Sequence, residues 1–173
     1  MKKYLFILIA FSLMTVVSCQ NKIDNEKEKE AIIAVIEEER AAFFDLNIDR
    51  IEATWKQEST SRKIFMSAGG FSELNGWTEI YNNNKELTNE EFWKDRVDAD
   101  GQYLNYDINV YGNTALVFHD AKFTGKYLGE EYYREQKRIL HMVKVEGEWK
   151  LDLMAMYGIP EEEENIKEEI NTE

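Results

Sequence analysis

The apolar residues of this chain keep helical spacing in its first half and alternate in its second. Ile32, Val35, Ile36, Phe43 and Leu46 recur at three-, four- and seven-residue intervals, the pattern of an amphipathic helix. Asn25 followed by Glu28 fits a capping box at its start. Glu37, Glu38, Glu39 and Arg40 fall mostly off the apolar stripe and are expected on a solvated helix face. A second, short helix is expected over Asn47 to Gln57, with Ile48, Ile51 and Trp55 on its apolar side. Arg62 to Ser67 reads as a strand that Ala68-Gly69-Gly70 breaks. A helix from Gly76-Trp77 fades into Asn82-Asn83-Asn84, and a further turn carries Phe92 and Trp93.

From Tyr103 onward the period is two. Asn105 to Tyr111 and Thr114 to Thr124 flank Gly112-Asn113, a two-residue hairpin signal. Tyr132 to Val145 and Trp149 to Tyr157 flank Glu146-Gly147-Glu148, and Pro160 ends the pattern. Helices first and an antiparallel meander afterwards imply an α+β domain, its curled sheet wrapped on the N-terminal helices. The first turn pairs Val110 with Ala115, Ile108 with Val117 and Tyr106 with His119. The second is expected to pair Val145 with Trp149, Val143 with Leu151 and His141 with Leu153. These residues, with Ile139 and Ala155, are assigned to the face that meets the helices, so both histidines point inward. The other face would hold Leu116, Phe118, Leu140, Met142, Met154 and Met156. A contiguous apolar patch of this kind marks an interface, and a homodimer joined sheet to sheet is expected. A strand bulge would divide the faces differently.

The two ends of the chain change this picture. Lys2 and Lys3 precede an apolar run, Tyr4 to Val17, and then Ser18-Cys19. That order is the one found in a secretory signal, and Val16-Val17-Ser18-Cys19 resembles a bacterial lipobox. The run is roughly 14 residues, whereas a spanning helix needs about 20. Residues 1–18 are therefore read as a signal peptide and 19–25 as a tether lipidated at Cys19, the only cysteine. The domain is assigned to residues 26–160. Residues 161–173, mostly acidic, are expected to be disordered. The expected location is the outside of the cytoplasm, lipid-anchored to an envelope membrane. The chain carries 21 Lys and Arg against 34 Asp and Glu, a net charge of −13. Removing the leader takes away two lysines and no acid, moving it to −15. Nucleic acid needs clustered cations, so it is excluded as a partner, as is adhesion of the domain itself to anionic lipid.

Ala41-Ala42-Phe43-Phe44, Ile51-Glu52-Ala53-Thr54-Trp55, Gly76-Trp77-Thr78-Glu79-Ile80 and Glu146-Gly147-Glu148-Trp149-Lys150-Leu151 follow one another in an order that resembles the nuclear transport factor 2-like superfamily, in its SnoaL-like branch, over roughly residues 26–159. The resemblance implies a cone open at one end to a pocket, often dimerised through its outer sheet face. It also implies a range of functions, since one cone serves many purposes. Enzymes of this kind move protons with a pocket carboxylate or histidine. Here the strand Arg62 to Ser67 holds no acid where such a base is expected, Glu73 being the nearest, and Ala155 stands where many relatives have a histidine.

Three functions are consistent with these residues. The first is a binding domain that holds a small, partly apolar molecule, lined by Trp55, Phe65, Trp77, Tyr106, His119, His141 and Tyr157. Aromatic walls with a few polar groups suit such a ligand. The second is a protein-interaction module of the envelope, whose cone would be plugged by Phe92 or Trp93. The third is an isomerase or dehydratase using His119 or His141 as base and Tyr106 as hydrogen-bond donor. No cofactor is implied, and two histidines without a third ligand at suitable spacing make no metal site.

Overall fold

The computed structural model describes residues 25–160. The expected leader, the expected Cys19 anchor, nearly all of the expected tether and the acidic tail lie outside these residues.

Helix α1 spans Asn25–Phe44 and α2 spans Ile48–Thr54. Asn47 caps α2, its side-chain oxygen accepting from Arg50 N–H. Strands β1 (Arg62–Ser67) and β2 (Gly70–Asn75) form a hairpin, so Ala68-Gly69-Gly70 turns the chain into a strand rather than ending one. Helices α3 (Trp77–Leu87) and α4 (Glu90–Trp93) follow. Strands β3 (Arg96–Tyr111), β4 (Thr114–Tyr127), β5 (Glu130–Val145) and β6 (Glu148–Gly158) make the meander. The six strands form one sheet in the order β2-β1-β6-β5-β4-β3. It is mixed: β1 runs parallel to β6, while every other pairing is antiparallel. The helical connection leading out of the β1–β2 hairpin allows that parallel neighbour.

Three two-residue turns set the registers. Gly112-Asn113 closes β3 on β4 with Val110 opposite Ala115 and Ile108 opposite Val117. Leu128-Gly129 and Glu146-Gly147 both have positive φ at each position, the geometry that matches strand twist in a tight hairpin. Val145 therefore pairs with Glu148 and Lys144 with Trp149, not Val145 with Trp149 as a longer turn would require.

Two bulges then decide which side chains face the helices. In β6, Asp152 is inserted between Leu151, which pairs with Met142, and Leu153, which pairs with His141. Trp149 and Leu151 before the bulge and Met154 and Met156 after it all face inward and are buried. In β3 the pairing steps from Leu104 opposite Asp120 to Asp107 opposite Phe118. Asn105, in the left-handed region at φ 57°, absorbs the extra residue. This places Tyr103 and Tyr106, three residues apart, on one face.

The face expected to join two copies is corrected accordingly. Leu140, Met142, Met154 and Met156 are buried on the inner face with Ala115 and Val117, because Val117 pairs with Leu140 across β4 and β5. Ile139, Val143, Val145, His141 and Ala155 lie on the opposite side. Of the six residues assigned to the outer face, Leu116 and Phe118 are found there, Phe118 beside Ile139 and Leu116 beside His141. The core joins Ile32, Ile36 and Ala42 of α1, Ile51 of α2, Trp55 and Ile80 to these inner residues. Each large apolar side chain buried here contributes roughly 1.5–3 kcal/mol.

Candidate functional site

The cone encloses a cavity of about 510 Å³ between the C-terminal end of α1, the inner face of the sheet and α4. Its walls are aromatic: Phe43 and Phe44 from α1, Phe65 from β1, Phe92 and Trp93 from α4, and Tyr103 and Phe123 from the sheet. The rings of Phe43, Phe44 and Trp93 meet edge to face at 5.5–5.7 Å. Trp93 is fixed by its indole N–H, which donates to Leu87 O at 2.7 Å. Gly101 allows this wall to form, since a Cβ there would stand 2.6 Å from Phe44 Cε2. Arg96 lies over the rings of Phe92, at 3.9 Å, and Tyr127, at 4.9 Å, on the rim.

Three charged side chains that are less than a tenth exposed line the same cavity: Glu39, Lys63 and Arg138. Glu39 stands three residues after Ile36 and four before Phe43, so it interrupts the apolar stripe of α1 and faces inward. The sequence expectation of a solvated face is wrong for this residue. Lys63 alternates with Ile64 and so shares the inner face of β1 with Phe65. Its Nζ donates to Asn84 Oδ1 at 2.6 Å and to Asn83 Oδ1 at 3.4 Å. Burial pushes the Lys63 ammonium down to about 8, helped by Arg138 and opposed by Glu39. Arg138 donates through Nε and Nη2 to Gln136 Oε1 and through Nη1 to the Tyr103 hydroxyl at 2.5 Å. Burial raises the Tyr103 phenol well above its ordinary range.

Behind Tyr103 sits His119, almost wholly buried. It packs on Tyr103 at 4.8 Å and on Tyr106 at 5.2 Å. Its Nδ1 lies 3.1 Å from the Asp120 carbonyl. A carbonyl only accepts, so the proton is on Nδ1, and Nε2 has no partner. Burial, with the nearby Arg138 charge, lowers the imidazole to about 4 and keeps it neutral. The Tyr106 hydroxyl donates to Glu37 Oε1 at 2.7 Å, and Glu37 also accepts from Arg40. Among the described residues no group of three or more His, Cys, Asp and Glu is placed to hold a metal ion.

No family model and no curated protein matches the sequence. Solved structures do match the fold. A nuclear transport factor 2-like superfamily protein from Salmonella enterica serovar Typhimurium superposes with a TM-score of 0.63 at 16% identity, covering 79% of this chain and 94% of its own. LinA gives 0.63 at 13% identity, over 80% of this chain and 90% of its own. A candidate scytalone dehydratase from Novosphingobium aromaticivorans gives 0.62 at 14%, over 79% and 87%. The chain has the nuclear transport factor 2-like fold. The Salmonella protein consists almost entirely of the matched region, and every core residue named above falls within residues 32–156. The nuclear transport factor 2-like unit here therefore contains the whole described core.

Within this cone the residues expected to line the pocket separate into three groups. Phe65 lines the cavity. Trp55 and Trp77 instead pack on each other at 6.4 Å, Trp55 deep in the core. Tyr106 and His119 form a layer behind the wall. His141 and Tyr157 are on the outer face, where His141 Nδ1 lies 3.1 Å from Asp152 Oδ2. Two causes act: the two-residue Glu146-Gly147 turn places Met142, not Val143, opposite Leu151 and so turns His141 outward, while the Asp152 bulge sends Met154 and Met156 inward and Tyr157 out. Glu39, Lys63 and Arg138 were missed. The available signal was a charge at an apolar period, Glu39 in the helical stripe and Lys63 and Arg138 at inward positions of strands.

Proposed function

We propose that this protein is an exported, Cys19-anchored domain that binds a small, partly apolar molecule inside the cone. One observation carries the binding reading: a cavity of about 510 Å³, walled by aromatic rings, with a few polar groups converging at its inner end. Sites for small ligands combine these features. Phe92 and Trp93 stand at the rim, yet the space behind them is open, which speaks against a plugged cone serving only as an interaction surface. The outer face, with Leu116, Phe118, Ile139 and Leu153, is the surface through which two copies would join. Supporting the anchor are the charged start, apolar run and Ser18-Cys19 order.

Extraction of small molecules from purified protein, followed by mass spectrometry, tests the binding reading. The comparison is with Met156→Trp, which fills the cavity. A compound recovered from the native protein and missing from the variant is expected; identical extracts would refute it. Acyl labelling that persists after Cys19→Ser would refute the anchor.

A second reading is favoured by Glu39. Its carboxylate faces the cavity and makes no hydrogen bond to the described residues. The Novosphingobium protein, of the same fold, is one named for a dehydratase. If the domain turns a substrate over, Glu39 is the proton acceptor, not His119, which is walled off behind Tyr103. Turnover that survives Glu39→Gln would exclude that role.

A further inference from the structure

We propose that the ligand of this cavity is an amphipathic anion, a small molecule with one oxyanion headgroup seated between Lys63 and Arg138 and an apolar body lying along Phe43, Phe65 and Phe123. This deepens the binding reading and rests on it.

The cavity holds an excess of positive charge that the protein does not neutralise. Lys63 and Arg138 are both buried, and each is hydrogen-bonded only to neutral oxygens: the amides of Asn83, Asn84 and Gln136 and the hydroxyl of Tyr103. Among the described residues no carboxylate lies within salt-bridge distance of either. Glu39 is the single buried carboxylate in the same space, so two cations face one anion, while His119 is neutral. Buried charges are costly unless paired. That cost is borne inside a chain whose net charge is −13, where an acidic partner for each would be the cheaper arrangement.

The unused donors point the same way. A guanidinium has five N–H groups and an ammonium three. Arg138 uses three and Lys63 two, which leaves two N–H groups on Arg138 and one on Lys63 without a partner among the described residues, on side chains that line the cavity. Oxyanions are the acceptors that charged donors of this kind bind best. Of the remaining lining, Arg96 and Arg134 balance Glu130 and Glu131 in charge, and the rings of Phe43, Phe65 and Phe123 offer an apolar body a wall that inorganic ions alone would leave unused.

A pair of fluorescent probes with one skeleton tests this on protein comprising residues 20–173. These are 8-anilino-1-naphthalenesulfonate and the neutral N-phenyl-1-naphthylamine. The sulfonate is expected to bind about tenfold tighter, the scale of one hydrogen bond to a charged group. Lys63→Met and Arg138→Met should each remove most of that advantage and leave the neutral probe within about twofold. Glu39→Gln should act in the opposite direction and tighten the sulfonate several-fold, because it removes the one repelling charge. Met156→Trp should abolish both signals, which separates the cavity from the outer sheet face. If the neutral probe binds as well as the sulfonate, the anion inference fails and the binding reading stands. If neither probe binds in the cavity, both fall. The native comparison decides the question even where a variant does not fold.

Discussion

Lys63 of β1 donates to Asn84 of α3 across 2.6 Å, and among the described residues no carboxylate pairs with it. A lysine held this way binds its proton more weakly folded than unfolded, about 8 against 10.5. Between those values the unfolded chain carries more protons, so stability rises as pH increases. The gain over that window is on the order of 2–3 kcal/mol, until the raised phenols of Tyr103 and Tyr106 oppose it above about pH 10. Denaturant unfolding from pH 7.5 to 10 should show this rise in the native protein and not in Lys63→Met. Parallel curves would show that Lys63 is not buried as an ammonium.

His119 produces the same sign in the acid range. Its imidazole binds a proton at about 4 when folded and near 6.5 when unfolded, so stability falls as pH drops through that interval. His119→Phe keeps the stacked ring and removes the titration. The stability difference between variant and native protein should grow in the variant's favour by about 2–3 kcal/mol from pH 7 to pH 4. Carboxylates elsewhere cancel in that difference.

Gly101 sets the spacing of the aromatic wall. Gly101→Ala forces the Phe44 ring from its place and is expected to cost about 1–3 kcal/mol, the usual range for overpacking. Thermal unfolding measures this. The displaced ring should also weaken any ligand that occupies the cavity, whereas Gly129→Ala, in an open turn, should leave binding unchanged.

On the proposed sheet-to-sheet dimer, Phe118 is central, since it is substantially exposed beside Ile139. Phe118→Glu should convert the dimer to monomer in sedimentation without lowering the melting temperature of the isolated domain. A native protein that sediments as a monomer at every concentration would end this proposal.

The general shape of the domain was legible, and its interior chemistry was not. Helical spacing located α1, and Gly112-Asn113 gave the β3–β4 register as far as Ile108. Both signals are local, one in a helix face and one in a turn. The β5–β6 faces went wrong for two reasons: the turn was read one residue too long, which misplaced Val145, Val143 and His141, and a period of two carries no memory across a bulge, so Asp152 reversed everything after it on β6. Glu39 escaped because a lone acid beside three other charged residues has the composition of a solvated face. Only the position of Ile36 and Phe43 around it marks it as inward. Lys63 and Arg138 were hidden by the same rule, that a charged side chain is normally outside. Their burial depends on contacts from α3, β3 and β5, far away in the chain.

Helix α1 is also a strut. At about 1.5 Å per residue, its 20 residues extend roughly 30 Å. Glu28 near its start is held by Lys144 and the Trp149 indole, while Phe43 and Phe44 at its end form the cavity wall. The attachment end and the open end are thus opposite poles of one rod. For a domain anchored at Cys19 as proposed, the cavity wall stands at the end of this helix remote from the lipid attachment.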